Sequence, residues 1–277
     1  MATINPIDVL LWTIRRNEKD VINLYDSLSP VMQVATGGSM LNFGYWTENT
    51  QDPIKAQENL CDYFGKLSEL KTAKTLIDVG SGLSAPAIFW RNLYDNLNLY
   101  CVNINYRQLR FSSPEKNIEF INSTSTKLPF DDNFADRILA LESSQHFRPF
   151  EGFISESKRI LKKSGILTLA LPVTLSNASI RKLGILKFTW SSEHYGVNLI
   201  KDIISNNGFK ITESHLIGSQ VYDPLADYYI QNRVSLKKSI LKKYPAFVEK
   251  VLFKSILKMK KASEDKIIDY AILKCKL

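Results

Sequence analysis

Short apolar runs alternate with amphipathic stretches along the chain from residue 75 onward. Five runs rich in β-branched and aromatic residues have the length and composition of strands, at 75–79, 97–104, 118–122, 137–142 and 165–173. Between them apolar residues recur at helical spacing, and the clearest helices are predicted over 85–95 and 150–163. This alternation predicts a parallel sheet with helices on both faces.

The two ends of the chain follow other patterns. Residues 6–70 have helical spacing interrupted by a loop at 34–46, in which three glycines stand among apolar and aromatic residues. Beyond a loop with one or two helical turns at 174–196, the pattern predicts a helix at 197–206, a strand at 209–217, a helical stretch over 225–262 and a strong final strand at 266–277. Helical segments therefore flank the alternating region on both sides.

The first strand leads into a turn of small residues, in the stretch TLIDVGSGLSAPAIFW that begins at Thr75. It ends near the acid Asp78, and Gly80 and Gly82 follow directly before a helix. A parallel strand that enters a helix through such a turn is typical of an anion or nucleotide site, and a tight turn without ligand is the alternative. Ala85 completes the loose dinucleotide fingerprint, but the second strand ends in Asn103, which weakens an NAD interpretation.

Composition narrows the choice of partners only slightly. The 277 residues are 44% hydrophobic and 23% charged, with a formal net charge of +8 and a pI of about 9.2. This charge leaves nucleic acid, an anionic membrane surface, an acidic substrate or a solvated lysine-rich surface open. The three cysteines show neither metal-ligand spacing nor a disulfide framework, and no apolar run approaches the ~20 residues of a membrane helix. We therefore expect a reducing, cytoplasmic location and no metal site.

Four stretches in order resemble the class I S-adenosylmethionine (SAM) methyltransferases, within the small-molecule natural-product group of sugar, sterol and tocopherol methyltransferases. LIDVGSG is similar to their first motif, and LPFDDNFADRILALESSQHF resembles the stretch around their fourth strand. SMLNFGYW resembles the N-terminal loop that folds over SAM. Tyr25 and Trp46 would close the pocket from the N-terminal segment. The final strand resembles their extra antiparallel strand. The NAD interpretation explains none of the last three.

The resemblance implies a Rossmann-like, mostly parallel seven-stranded sheet with a final antiparallel strand. It implies that residues 1–70 form a helical cap over the cofactor site and that residues 71–277 form the SAM-binding core. A helical lid at about 222–262 would be inserted before the last strand. The implied cofactor is SAM.

The resemblance also implies contacts to the methionine portion of SAM. Asp78 would orient the first loop and help to hold the amino end. Gly80 and Gly82, with Ser81 between them, would let the loop pass the methionine chain. Leu141 would help to hold the ammonium group through its carbonyl oxygen.

The nucleoside portion would be held by residues after the second and third strands. Asn103 and Gln108 would meet the ribose hydroxyls, Ile104 would lie against the adenine face, and Thr124 and Ser125 would contact the adenine edge. Asn103 and Thr124 stand where the family usually has acids, and hydrogen bonds of a neutral amide lack charge assistance. Ser84 stands where the family has a third glycine.

Methyl transfer to a hydroxyl acceptor calls for a base with a pKa near the working pH, and histidine is the usual one. His146 follows the fourth strand, beside the expected position of the SAM methyl group, and either a catalytic base or a structural loop residue is consistent with this place. Glu142 ends the same strand and would orient the acceptor, help to hold SAM or satisfy loop amides. His194 and His215 are interpreted as structural.

Lysines dominate residues 236–261, where Glu249 is the only acid and Pro245 divides two helices. In the second helix, one stripe of mostly apolar residues is predicted: Val248, Val251, Leu252, Ser255, Ile256 and Met259. Such a helix suits a lid over the acceptor pocket, or peripheral contact with an anionic membrane that would favour a lipid-like or prenylated acceptor. Nucleic acid is not expected, because aromatic residues are sparse among the lysines.

The function favoured by the sequence is SAM-dependent methylation of a small, largely apolar acceptor, at oxygen or carbon rather than nitrogen. Two alternatives remain open at this point. The chain would be a SAM-bound, cyclase-like or otherwise non-methylating protein, or it would be an apolar-ligand or membrane-surface module that has lost SAM.

Overall fold

The computed structural model describes residues 6–111, 117–176, 179–189 and 192–277. Its centre is a seven-stranded sheet in the order β3-β2-β1-β4-β5-β7-β6. The strands are β1 (Thr75–Val79), β2 (Asn98–Asn103), β3 (Ile118–Asn122), β4 (Ala135–Leu141), β5 (Leu161–Thr174), β6 (Lys210–Leu216) and β7 (Ile268–Lys276). The first five strands pair in parallel, whereas β7 is antiparallel to both β5 and β6. The predicted α/β fold with a final antiparallel strand is confirmed.

Helices surround the sheet and precede it. They are α1 (Pro6–Arg15), α2 (Glu18–Thr36), α3 (Pro53–Leu67), α4 (Ala85–Leu93), α5 (Tyr106–Phe111), α6 (Phe150–Ile160), α7 (Ser179–Lys182), α8 (Leu186–Thr189), α9 (Val197–Asn206), α10 (Gly218–Leu241) and α11 (Ala246–Glu264). The predicted turns within 174–196 correspond to α7 and α8, and residues 177–178 and 190–191 of that loop lie outside the described residues.

Both faces of the sheet are buried, and the strands are therefore continuous apolar runs in the sequence. Successive side chains of a strand point to opposite faces, so Leu76 belongs to the core under α3 and α4, and Ile77 to the core under α6 and α9. Asp78 follows the same alternation and is buried on the side of Leu76. The sheet thereby fixes the carboxyl ends of β1, β2 and β4 at one edge.

The boundary between α6 and β5 differs from the sequence expectation. The helix ends at Ile160 rather than 163, and the strand begins at Leu161 rather than 165. The pairing with β4 is irregular at this point, because the register shifts between Ala135 and Arg137. A Cβ on Gly165 would lie 2.7 Å from a methyl carbon of Leu161. The glycine that was expected to end a helix therefore allows close packing at an irregular position within a strand.

The N-terminal helices have clear local signals. Asn17 and Asp20 form a capping box at the start of α2, which ends at Gly37 in the left-handed conformation with φ +80°. Asp52 caps α3 in front of Pro53. The loop between α2 and α3 is fastened to the fold, since the Gln57 side chain donates to two of its carbonyl oxygens.

The helical insert before β7 spans α10 and α11, 218–264 rather than about 222–262, and Pro245 separates the two helices as predicted. The expected apolar stripe on α11 is wrong at Val251, which is 41% exposed. Glu249 is buried instead and pairs with Arg233 across the two helices at 3.0 Å. In the part of the chain that the structure describes, every helix is too short or too polar to cross a bilayer.

Candidate active site

A cavity of about 380 Å³ lies at the carboxyl edge of β1, β2 and β4. This is the edge at which ligands of open parallel sheets bind. Eleven of the predicted site residues line it: Tyr25, Gly80, Ser81, Gly82, Asn103, Ile104, Gln108, Ser125, Leu141, Glu142 and His146. The topology therefore joins residues from five separate segments of the chain around one space.

Three predicted residues lie outside this lining. Asp78 is buried behind the glycine turn, and burial raises the pKa of its carboxyl group to about 7. Trp46 packs against Tyr228 of α10, with ring centroids 5.7 Å apart, because the loop backbone at Trp46 is bonded to Gln220. The hydroxyl of Thr124 lies 3.3 Å from that of Thr126, while the neighbouring Ser125 faces the cavity.

The glycine turn has a backbone that other residues adopt only with strain. Gly80 has φ +77°, and a Cβ there would lie 2.3 Å from the Cβ of Ser143. Gly82 has φ +56°, and a Cβ there would meet only a methyl carbon of Leu41, at 3.5 Å. Gly80 is thus required by close packing against the end of β4, whereas Gly82 keeps one wall of the cavity open.

Neutral amides line the cavity beside this turn, at the end of β2. The Asn103 amide donates to the carbonyl oxygen of Gly82 at 3.0 Å and to Oε1 of Gln108 at 2.9 Å. Its Oδ1 accepts the backbone N–H of Asn105 at 3.1 Å. Gln108 in turn donates to the hydroxyl of Ser29 on α2 at 3.0 Å. The end of β2 is therefore cross-linked to both the glycine turn and the N-terminal helix.

The cavity lining also contains a tyrosine–histidine pair. The hydroxyl of Tyr25 lies 2.9 Å from Nε2 of His146, and the rings meet edge to face with centroids 5.3 Å apart. His146 stands on the short turn Ser144–His146 directly after β4, so the sheet edge fixes its position. Burial, and secondarily the Glu142 charge, raises the pKa of Tyr25 above its usual range, so its hydroxyl stays protonated. The tautomer of the imidazole sets which of the two groups donates.

Glu142 fastens the N-terminal loop to the end of β4. Its Oε1 accepts the backbone N–H of Phe43 and the hydroxyl of Tyr270, each at 2.9 Å. Burial raises the pKa of this carboxyl group to about 8, although both hydrogen bonds act in the opposite direction. Of the roles considered for Glu142, the satisfaction of a loop amide is the one with a contact in the structure.

The other two histidines have structural surroundings. His194 is buried, its Nδ1 lies 3.3 Å from the hydroxyl of Ser192, and burial lowers its pKa to about 4. His215 on β6 lies 2.6 Å from the hydroxyl of Tyr63 through Nδ1. Neither lines the cavity, which agrees with their interpretation from the sequence.

Several lining residues were not singled out from the sequence. They include Val21 and Ile22 of α2, Leu41 and Asn42 of the following loop, Ser143, and Arg16 and Arg148 at the rim. A helical spacing of 18, 22 and 25 on α2 could have indicated one cavity-facing side. Residues of α10 and α11 are absent from the described lining, so the insert is not the wall of this cavity.

The lining suits a ligand with an amino acid part and a nucleoside part. Asn42 presents a buried Oδ1 that receives no hydrogen bond from the described residues, and such an acceptor matches an ammonium donor. The open Gly82 turn and the N-terminus of α4 allow a close backbone approach. The side chains at the end of β2 offer amide oxygens to sugar hydroxyls. The residues present therefore fit SAM.

Comparison with known proteins also supports a protein that binds SAM. Residues 77–169 match the methyltransferase domain family. The erythromycin 3''-O-methyltransferase of Saccharopolyspora erythraea is 22% identical over 266 residues, which cover 87% of this chain and 86% of that enzyme. Further curated relatives, sterol 24-C-methyltransferases among them, align over 27% to 57% of their own lengths.

Solved structures share the fold over nearly the whole chain. The cyclase SpnF superposes with a TM-score of 0.79 at 19% identity, covering 94% of this chain and 96% of its own. The geranyl diphosphate C-methyltransferase of Streptomyces coelicolor A3(2), solved with S-adenosylhomocysteine, has a TM-score of 0.71 at 10% identity, covering 94% and 97%. The shared fold, the methyltransferase domain match at residues 77–169 and the O-methyltransferase relative together support a SAM-dependent methyltransferase.

Proposed function

We propose that this enzyme methylates a small, largely apolar acceptor at oxygen or carbon, with His146 as the base when the acceptor is a hydroxyl. The observation that carries the proposal is the shared cavity, whose lining contains both the glycine turn and the Tyr25–His146 pair. The domain division proposed from the sequence fits this function. Within residues 6–70, α2 and the following loop contribute to the cavity wall, which supports a cap at 1–70 over a core at 71–277.

The cofactor would lie along the ends of β1 and β2. The backbone of Gly80, Ser81 and Gly82 would run alongside the methionine chain. Asn42 would accept a hydrogen bond from the ammonium group of SAM. Asn103 and Gln108 would face the ribose. When bound, SAM supplies a methyl carbon that is already activated by its sulfonium. The task of the chain is to align the acceptor with this carbon and to exclude water.

In the tautomer whose Nε2–H donates to the Tyr25 oxygen, the imidazole of His146 would take the proton of the acceptor hydroxyl at Nδ1 as the new bond forms. The imidazole lines the cavity, and its Nε2 is held at 2.9 Å by the Tyr25 hydroxyl, which fixes the plane of the ring. Tyr25 would act as a positioning residue. General base catalysis of this kind typically contributes about 10²–10⁴-fold in rate.

An apolar acceptor is favoured by the apolar part of the cavity lining. Val21 and Ile22 of α2, Leu41 of the loop and Phe147 after β4 belong to it. The names of two similar proteins point the same way, since they specify erythromycin and geranyl diphosphate as acceptors. These acceptors are methylated at oxygen and carbon, which supports the same two reactions here.

The test is the formation of S-adenosylhomocysteine from SAM with matched acceptors. A panel would pair apolar alcohols, such as sterols, prenyl alcohols and macrolide aglycones, with amines of equal size. We expect turnover with at least one apolar alcohol or alkene. Preferential turnover of a small hydrophilic amine would contradict the proposed acceptor class.

We also propose peripheral contact with an anionic membrane through one stripe of α10. Val234, which is 87% exposed, and Leu241 alternate there with Lys237, Lys238 and Lys242 at spacings of three and four, without an acid between them. Each suitably placed lysine adds at most about 1 kcal/mol on such a surface. Binding to anionic vesicles should weaken when Lys237 and Lys238 become Glu. The same pair of changes at Lys250 and Lys254 of α11 is the charge-matched control, and an equal loss in both variants would contradict this surface.

A further inference from the structure

The amides at the end of β2 form a network that is complete without a ligand. Asn103 uses both of its N–H groups, toward Gly82 and Gln108, and its Oδ1 accepts from Asn105. Gln108 accepts from Asn103 and donates to Ser29. Asn103 and Gln108 are both buried, with 6% of each exposed. Removing a sugar hydroxyl from this place would therefore leave each amide with its present partners.

A ribose is expected at this network on general grounds. In nucleotide-binding sheets of this type, the residue at the end of the second strand, about 20 positions after the glycine turn, bonds the ribose hydroxyls. Asn103 occupies that place, and both Asn103 and Gln108 line the cavity. Each amide oxygen has two lone pairs, and the network occupies one on each, so one remains for a hydroxyl.

A carboxylate in the place of Asn103 would behave differently. It has no donor for the oxygens of Gly82 and Gln108, and its buried charge would need the two hydroxyls as donors. Sites that depend on a substrate hydroxyl in this way reject the analogue without it by about 10⁴-fold or more, because a buried polar group is left unpaired.

We propose that the self-paired amides Asn103 and Gln108 make this enzyme tolerant of SAM analogues that lack a ribose hydroxyl. The inference rests on the proposed place of the cofactor. Asn103 would determine specificity because it carries no charge. A neutral amide that already has its hydrogen bonds gains little affinity from a ribose hydroxyl and loses little without it.

The test is calorimetric titration of the wild-type protein with S-adenosylhomocysteine and with its 2′-deoxy and 3′-deoxy analogues. We expect both analogues to bind within about fivefold of the parent compound. A loss of about 100-fold or more for either analogue would overturn the inference while leaving the cofactor site in place. Failure of the parent compound to bind would overturn both.

A substitution at Asn103 gives a second measurement of the same discrimination. Asn103→Asp should raise the discrimination against the deoxy analogues to at least about tenfold, because the carboxylate then depends on the hydroxyls. Asn98→Asp adds the same charge to the exposed start of β2, outside the cavity, and should bind all three compounds as the wild type does. Unchanged discrimination in a folded Asn103→Asp variant would overturn the assigned role of Asn103. If that variant does not fold, the wild-type ratios decide.

Discussion

Two groups of residues in the cavity lining differ in their chemistry. The proposed cofactor contacts are backbone and neutral amides, with two glycines at positive φ and the pair Asn103–Gln108. The second group holds titratable side chains, namely Tyr25, Glu142 and His146. Under the proposed function, shape would govern cofactor binding and proton chemistry would govern turnover, so substitutions in the two groups should affect different measured quantities.

The largest effect is expected from His146→Ala. Turnover of a hydroxyl acceptor should fall by about 10²–10⁴-fold, because the base is lost, while affinity for S-adenosylhomocysteine stays within about threefold. Wild-type activity should also fall below about pH 6, since a protonated imidazole cannot accept a proton. His215→Ala, which removes a histidine outside the cavity, is the matched control. Turnover of His146→Ala within about threefold of wild type at every pH would remove His146 from catalysis.

In the glycine turn, Gly82→Val should weaken cofactor binding by about 100-fold, which corresponds to about 2.8 kcal/mol. The larger side chain would enter the wall that Gly82 keeps open, toward Leu41. Gly184→Val controls for backbone strain, because Gly184 has a similar φ of +57° away from the cavity. Calorimetry should show lost affinity only in the first variant, and equal affinities in both would place the cofactor elsewhere.

A smaller effect on turnover is expected from Tyr25→Phe. The change removes the hydroxyl that holds His146 and leaves the ring in place, so turnover should fall about tenfold, the equivalent of one hydrogen bond of about 1.4 kcal/mol. Tyr63→Phe removes a comparable hydroxyl from the pair with His215 and should leave turnover unchanged. Similar losses in the two variants would indicate a general effect on folding rather than positioning of His146.

Stability, rather than turnover or affinity, should depend on pH at Glu142. Its pKa is about 8 in the folded chain against an ordinary value of 4.5, so below pH 4.5 the group is protonated in both states. Between these values only the unfolded chain ionises, and the wild type loses stability as the pH rises. Glu142→Gln keeps the acceptor for Phe43 and Tyr270 without a charge.

The stability of Glu142→Gln relative to wild type should therefore improve from pH 5 to pH 8 in urea unfolding. Glu58→Gln, at an exposed position of α3, is the control and should show no such trend. A constant difference between Glu142→Gln and wild type across this range would mean that the Glu142 carboxylate is not held in a buried site.

Local patterns predicted the strands well where burial is uniform. The run at Thr75–Val79 is bounded by Lys74 and Gly80, and its strand has the predicted ends. The start of β5 could not be predicted, because Gly165 is also a common helix stop and only the pairing with β4 selects the strand.

The candidate site shows the same division between local and long-range information. The glycine turn and His146 follow from motifs, since each directly succeeds a strand. The contact between Tyr25 and His146 joins residues 121 positions apart, and the direction of Trp46 depends on Tyr228. Such directions are set by tertiary packing, which the spacing of residues along the chain does not encode.

The most direct measurement is the affinity for S-adenosylhomocysteine of the wild type, Gly82→Val and His146→Ala, titrated under identical conditions. We expect His146→Ala to bind within about threefold of wild type and Gly82→Val to bind about 100-fold more weakly. Equal loss in both variants, or undiminished binding by Gly82→Val, would contradict a cavity in which the glycine turn holds the cofactor and His146 serves the acceptor.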